Sequence, residues 1–242
     1  MGERKLELVY EPKPGRKMRV VVLFSGGASA LKYLLENDPN LGQNYEIVGA
    51  FTDREDASGI ELAQRAGIPV EIFSFKKFLE EHRAERTDPK ARQAYFTEVL
   101  KRIGRWHPDI LILSGFMLIV TEPLLSAFKH RILNVHPADL RVRDERGRRK
   151  YVGMDVVARA IRAGEKFTRS TIHLVTEEVD GGPILVVSDP LEVEPGVSPE
   201  EHQERMKWAC DGPAYQKALE LITEGRVWVD ERAGCIKLDA HL

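Results

Sequence analysis

Asn134, His136 and Asp180 are residues whose types and spacing could do chemistry. The first two stand in Ile132-Leu133-Asn134-Val135-His136-Pro137 and the third in Val179-Asp180-Gly181-Gly182-Pro183. A neutral amide donates to a developing oxyanion. An imidazole gives or takes a proton near neutral pH, and a carboxylate fixes its tautomer or shares the proton traffic. Together they suit acyl or one-carbon transfer. Asn-x-His-Pro also arises by chance: Asn134 could cap a turn, His136 could be a satisfied core histidine, and Asp180 could make an Asp-Gly turn. Position favours the chemical reading, because the tetrapeptide closes an apolar strand and so emerges at the end of a sheet.

The elements that must place these residues alternate along the chain. Short β-branched runs over Arg19–Phe24, Ile47–Thr52, Val70–Phe73, Ile110–Leu113 and Ile132–Val135 read as strands. Between and after them, Ala28–Glu36, Gly59–Ala66, Pro89–Gly104, Glu122–Ala127 and Met154–Ala163 carry helical patterns. Strand and helix in alternation imply right-handed crossovers and an open, doubly wound, mostly parallel α/β sheet with ligands at the carboxyl ends of its strands. Thr171–Val175 and Ile184–Val187 bracket the Asp-Gly-Gly turn and predict an antiparallel pair. Ser198, with Glu201 three residues on, opens a long helical segment to Gly225 that Gly212-Pro213 must interrupt. A small hairpin over Val227–Leu238 closes the chain. Residues 1–17 read as a polar N-terminal extension and 18–242 as one domain.

The first strand runs through Ser25-Gly26-Gly27-Ala28-Ser29-Ala30 into a helix, which points free backbone N–H groups and the positive end of the helix dipole at whatever lies above. A phosphate fits there, while a tight structural turn is the plainer alternative. The third glycine of a dinucleotide fingerprint is missing, and Asp53 stands far for a ribose-binding acid.

With 242 residues and 43% hydrophobic content the chain can bury a substantial core. Thirty-six Lys and Arg against thirty-eight Asp and Glu give a net charge of -2, so nothing in the bulk balance argues for a nucleic-acid partner. Cys210 and Cys235 lack zinc or CxxC spacing and read as reduced thiols of a cytoplasmic protein without a metal. The N-terminus shows neither an apolar leader nor a myristoylation signal, and no run is long enough to span a membrane.

Taken in order, Ser25 through Leu31, Arg92-Gln93-Ala94-Tyr95, Ser114-Gly115-Phe116-Met117, Asn134-Val135-His136-Pro137, Asp180-Gly181-Gly182-Pro183 and Glu224-Gly225-Arg226 resemble the landmarks of the folate-dependent formyltransferase family. The likeness covers residues 18–240. It implies a Rossmann-like fold and passage of a formyl group from the co-substrate 10-formyltetrahydrofolate to a primary amine, with glycinamide ribonucleotide of purine synthesis as the leading acceptor and no metal. It also implies catalytic roles for Asn134, His136 and Asp180. Phosphate or acceptor contacts fall on Gly26, Gly27, Ala28, Ser29, Ala30 and Asp211. Folate contacts fall on Arg92, Phe116, Met117, Leu118, Ile119 and Val120. A turn and core packing explain Phe116 and Met117 almost as well, and Arg92 also suits a solvated helix face. The expected partner is a small phosphorylated amine, and a homodimer is compatible with the sequence.

Several positions depart from the family pattern. Ala28-Ser29-Ala30 replaces Gly-Ser-Asn, Leu118 replaces an arginine, and Asp155 replaces a histidine. After Pro137 a longer stretch carries Arg141, Arg143, Arg146, Arg148, Arg149 and Lys150. A charge run is usually a solvated surface; beside a catalytic site it also suits a mobile flap whose charge replaces the anion recognition that Ala28 and Ala30 cannot give. These departures keep open a different amine such as a sugar nucleotide, a formyltetrahydrofolate hydrolase, and a non-catalytic folate or nucleotide-binding protein. The hydrolase would normally carry an N-terminal regulatory domain, for which residues 1–17 leave no room.

Overall fold

The computed structural model describes residues 6–239. They fall into two compact units, Lys13–Leu133, and the residues from Asn134 onward joined by those up to Pro12. The described chain opens with β1 (Leu6–Leu8).

In the unit Lys13–Leu133 there follow β2 (Met18–Phe24), α1 (Ser29–Asn37), β3 (Tyr45–Thr52), α2 (Gly59–Arg65), β4 (Val70–Ile72), α3 (Phe75–His82), α4 (Pro89–Gly104), β5 (Ile110–Leu113) and α5 (Leu124–Ala127). β2 is buried at every position but Arg19, so its apolar run has no alternation and is covered on both faces, as central parallel strands are. It pairs in parallel with β3 on one side and β5 on the other, and β4 lies in parallel beyond β3. Local chemistry starts the helices. Ser74 accepts from Lys77 N at the head of α3, and Asp88 accepts from Lys90 N at the head of α4, where Pro89 needs no donor.

The helix α3 was not foreseen. Its capping serine and the buried Phe75 and Phe78 supply the reason it forms. Tyr95 of α4 stacks on Phe73 at 5.0 Å and meets Phe75 and Phe78 edge-on, while its hydroxyl donates to Phe73 O at 2.6 Å. Each such aromatic pair contributes about 0.5–1.5 kcal/mol beyond its buried area.

Strand β6 (Ile132–His136) passes from one unit into the other. After it come α6 (Val156–Arg162), β7 (Phe167–Thr168), β8 (Thr171–Leu174), β9 (Ile184–Val187), β10 (Leu191–Glu192), α7 (Pro199–Met206), a π-helical turn over Lys207–Asp211, α8 (Gly212–Thr223), β11 (Val227–Asp230) and β12 (Cys235–Leu238). The main sheet has seven strands in the order β4-β3-β2-β5-β6-β8-β9; it is mixed and mostly parallel, with β8 and β9 antiparallel as the turn chemistry implied.

The break in the C-terminal helix falls at the π-helical turn, one step before Gly212-Pro213. Proline has no N–H to offer the preceding turn, so the backbone widens there and resumes with Pro213 in the first turn of α8. β11 and β12 form the expected closing hairpin. Leu6–Leu8, inside the expected polar extension, pairs antiparallel with β11, so this part of the segment is a strand. Residues 1–5 of that extension lie outside the described residues.

Candidate active site

Asn134 and His136 lie two apart on β6, so their side chains share a face of the sheet. Thr171 and His173 alternate in the same way on β8, the neighbouring strand. Asn134 Nδ2 lies 3.1 Å from His173 Nε2, and His173 Nδ1 lies 3.0 Å from Leu174 O. The Leu174 carbonyl sets one proton: His173 Nδ1–H donates to it, its Nε2 faces both the Asn134 amide and Asp180 Oδ1, and one of the two Asn134 N–H groups is left for a ligand oxygen. Thr171 Oγ1 donates to Ala138 O at 2.7 Å and accepts from Leu140 N at 3.1 Å, which fixes the chain leaving β6.

Asp180 sits between the two histidines. Its Oδ2 is 3.4 Å from His136 Nδ1 and its Oδ1 is 3.5 Å from His173 Nε2. Gly153 N donates to Oδ2 at 2.8 Å. His136 Nε2 is 2.8 Å from Tyr151 O and must donate there, so Nδ1, facing Asp180, is the one ring atom that can exchange a proton. All three side chains are nearly enclosed, with His136 4%, His173 2% and Asp180 8% exposed.

Burial, the largest influence on His136, holds its pKa below the ordinary 6.5. The Asp180 charge and the Tyr151 carbonyl pull upward without cancelling it, and His173 and Arg149 add to the fall. Burial pushes the Asp180 carboxyl up, but the His173 side chain, the His136 charge and the Gly153 amide outweigh it and leave the group below its ordinary 3.8. The resting pair at neutral pH is therefore a neutral imidazole beside a carboxylate.

His173 is the residue that sequence reasoning missed. Its signal was a histidine inside the otherwise apolar run predicted as a strand, seven residues before Asp180. Asp211, expected at the acceptor, is buried at the π-helical turn, where Ser170 Oγ donates to its Oδ1 at 2.5 Å. Enclosure pushes the Asp211 pKa up to about 6 despite that bond.

The basic segment 141–150 is a small hydrogen-bonded hairpin. Arg143 bridges Arg149 across it, Lys150 N donates to Val142 O, and Asp144 Oδ1 accepts the amides of both Arg146 and Arg148. Arg141 and Arg148 are paired with Asp139 and Asp144. A carboxylate that caps its own turn holds this arrangement where a bare charge run would stay open.

In the unit Lys13–Leu133 the glycine-rich loop is held at both flanks. Ser25 Oγ donates to Asp53 Oδ1 at 2.5 Å and accepts from Met117 N at 2.9 Å, and Gly59 N donates to Gly26 O at 3.0 Å. Ala28 takes the left-handed conformation at φ 51. Among the described residues no protein acceptor takes the amides of Gly26, Gly27, Ala28 or Ser29, whereas the Ala30 amide is bonded to Ser114 Oγ at 3.0 Å. Ala28 and Ala30 turn their methyl groups inward.

Residues 116–120 follow β5 outside any strand or helix and alternate in burial. Phe116, Leu118 and Val120 are buried, with Phe116 edge-on to Phe51, while Met117 and Ile119 are about half exposed. Only those two offer an apolar face outward. Arg92, on a half-buried face of α4, donates to Arg86 O at 3.0 Å.

The turn before β9 leaves no room for a side chain at Gly182, because a Cβ there would stand 1.8 Å from Leu174 O. Gly182→Ala is expected to destabilise the protein by about 1–3 kcal/mol through the forced backbone shift. A urea titration checks this, and an unchanged midpoint would contradict it.

A family model described as formyl transferase matches residues 18–210. The phosphoribosylglycinamide formyltransferase of Escherichia coli (strain K12) is 27% identical over 216 residues, covering 89% of this chain and 92% of the relative. The chloroplastic phosphoribosylglycinamide formyltransferase of Arabidopsis thaliana is 31% identical over 222 residues, covering 84% of this chain and 70% of the relative. Among solved structures, glycinamide ribonucleotide transformylase 1 from Symbiobacterium toebii matches with a TM-score of 0.78 at 26% identity, over 93% of this chain and 95% of its own. With that model matched over residues 18–210, most of its length, the chain belongs to the formyl transferase family.

Proposed function

We propose that this protein transfers a formyl group from 10-formyltetrahydrofolate to the primary amine of a small phosphorylated acceptor, glycinamide ribonucleotide first among them. The observation that carries the reading is the buried network of Asn134, His136, His173 and Asp180, with one amide proton and one ring nitrogen left to react. The names of the two relatives and the solved structure support the same acceptor. A cytoplasmic location goes with this reading; among the described residues no helix is long and apolar enough to cross a membrane.

In this mechanism the amine attacks the formyl carbon and the carbonyl oxygen becomes an oxyanion, which receives the free Asn134 N–H. His136 Nδ1 takes the proton shed by the attacking nitrogen. The imidazolium so formed is stabilised by the Asp180 carboxylate 3.4 Å away. Because burial keeps its pKa low, it is a ready acid and returns the proton to the departing folate nitrogen as the carbon–nitrogen bond breaks. The unclaimed amides of Gly26 to Ser29 are assigned to the acceptor phosphate, and Met117 and Ile119 to the apolar edge of the pterin.

The test is incubation with 10-formyltetrahydrofolate and a panel of amines, following folate release. Release that requires glycinamide ribonucleotide supports the reading. Release without any amine would make the protein a hydrolase, and no release would leave a binding protein. Since Ala28 and Ala30 replace larger polar residues of the family pattern, the panel includes amino sugar nucleotides.

The hairpin adds charge to this picture. A cavity of about 610 Å³ is lined by Arg143, Arg149, Arg159, Glu178 and Asp180 among others. Replacing Arg143 and Arg146 together by Gln is expected to raise the acceptor KM about two- to fivefold, the scale of screened surface charges, and to flatten its salt dependence without moving the folate KM. Unchanged acceptor kinetics across a salt series would return both arginines to a solvated surface.

A further inference from the structure

We propose that Arg149 is a positioning residue for the reaction: its guanidinium holds the main chain on both sides of Gly181 and thereby aims the Asp180 carboxylate at His136. One arm of the guanidinium donates to Asp180 O and another to Gly182 O, the latter at 2.8 Å. The inference rests on the catalytic reading of Asp180 given above and extends it to a residue of the basic hairpin.

The Asp180 loop needs an external brace. Asp180 itself is in the left-handed region at φ 52, a conformation of limited stability for a residue with a side chain, and it is followed by two glycines with wide conformational freedom. A carboxylate carried by such a segment has no fixed direction of its own. The flat guanidinium fork offers two parallel donors and bonds carbonyls two residues apart, which fixes the peptide planes between them. Both bonds go to neutral carbonyls, so the partly buried charge serves geometry here more than charge pairing.

The rest of the returning arm of the hairpin reaches the same group of residues. Tyr151 O accepts the His136 Nε2 proton, and Gly153 N donates to Asp180 Oδ2. Arg159 holds this arm in turn, donating at 2.8 Å to Val152 O and to Lys150 O. Residues 149–153 therefore set the tautomer of His136, one oxygen of Asp180 and the backbone of Asp180 together. The hairpin stem is closed by its own bonds through Asp144 and Val142, so it provides a fixed base for Arg149.

The experiment uses the full-length protein with Arg149→Ala, Arg149→Lys and Asp180→Asn, read by steady-state kinetics against pH, thermal midpoint, and an NMR titration of His136. For Arg149→Ala, kcat is expected to fall about ten- to a hundredfold, the scale of a misplacement near 1 Å, with both KM values within about twofold. The His136 titration is read in Arg149→Lys, which keeps the cation that itself lowers the His136 pKa; there the pKa is expected to move further down, because a carboxylate no longer aimed at Nδ1 raises it less. Arg149→Lys is expected to recover only part of kcat, since one ammonium cannot span both carbonyls in a fixed plane.

Arg149→Ala with unchanged kcat and Arg149→Lys with an unchanged His136 titration, beside an inactive Asp180→Asn, would overturn the proposal and leave the catalytic reading standing. A loss of activity that follows the thermal midpoint, with the His136 titration unmoved in Arg149→Lys, would also overturn it, because the role would be structural. If Asp180→Asn keeps full turnover while Arg149→Lys still shifts the His136 titration, the catalytic reading fails and the positioning contact stands.

Discussion

His136→Ala is expected to lower kcat by about 10²–10⁴-fold, the usual range for a positioned acid or base, while the affinity for folate changes little. The ring has one free position. Its Nε2–H is committed to Tyr151 O and its Nδ1 faces Asp180, so the side chain is arranged for proton exchange at a single atom. Such an interaction strengthens only as charge develops on the reacting groups, and its loss therefore appears in turnover. Single-turnover kinetics with equilibrium folate binding separates the cases. Equal losses in binding and turnover would make His136 a binding residue.

Asp180→Asn is expected to cost turnover on a similar scale, about 10²–10⁴-fold, and to move the acid limb of the pH profile to lower pH. The sign follows from the site. Burial holds the His136 pKa below 6.5, and Asp180 is the first influence opposing that fall. Taking away its charge lets the His136 pKa drop further, so the neutral ring survives to more acidic solution while the imidazolium formed during reaction loses its counter-charge. A limb that stayed in place or moved upward would contradict the assignment.

The same two shifts bear on stability. Both groups have folded-state pKa values below their ordinary ones, so each contributes stability that is present above its unfolded value and is lost as pH falls through the folded one. For His136 the decline begins below about pH 6.5, and for Asp180 it begins only below about pH 4. Between those values Asp180 stays ionised in folded and unfolded chain alike, so the first part of the acid loss belongs to the histidine.

Much of the architecture was legible in the local pattern. The apolar run Met18–Phe24 can be satisfied only by cover on both faces, Ser198 with Pro199 and Glu201 announces a helix start, and the turn at Asp180-Gly181-Gly182 forces the antiparallel return of β9. Asn134 and His136 were legible as a pair for the same reason, since residues two apart on a strand share a face whatever surrounds them. Side-chain period and turn chemistry act over a few residues, and sequence carries them directly.

The tertiary structure decided which groups meet. Pairing of β6 with β8 brings His173 against Asn134, and no pattern within either strand contains that contact. The two-residue period also divided the expected folate contacts, burying Phe116, Leu118 and Val120 and leaving Met117 and Ile119 outward. Arg149 read as one charge in a basic run, yet its partners are main-chain carbonyls more than thirty residues away. Ser114 claims the Ala30 amide, and Ser170 claims Asp211, each across a separation that local propensity cannot encode. Residue types and short spacings determined which chemistry this chain could do. Long-range pairing decided which nitrogen of His136 can exchange a proton, which carboxylate faces it, and which arginine holds that carboxylate in place, because backbone carbonyls and amides become partners only when folding brings them together.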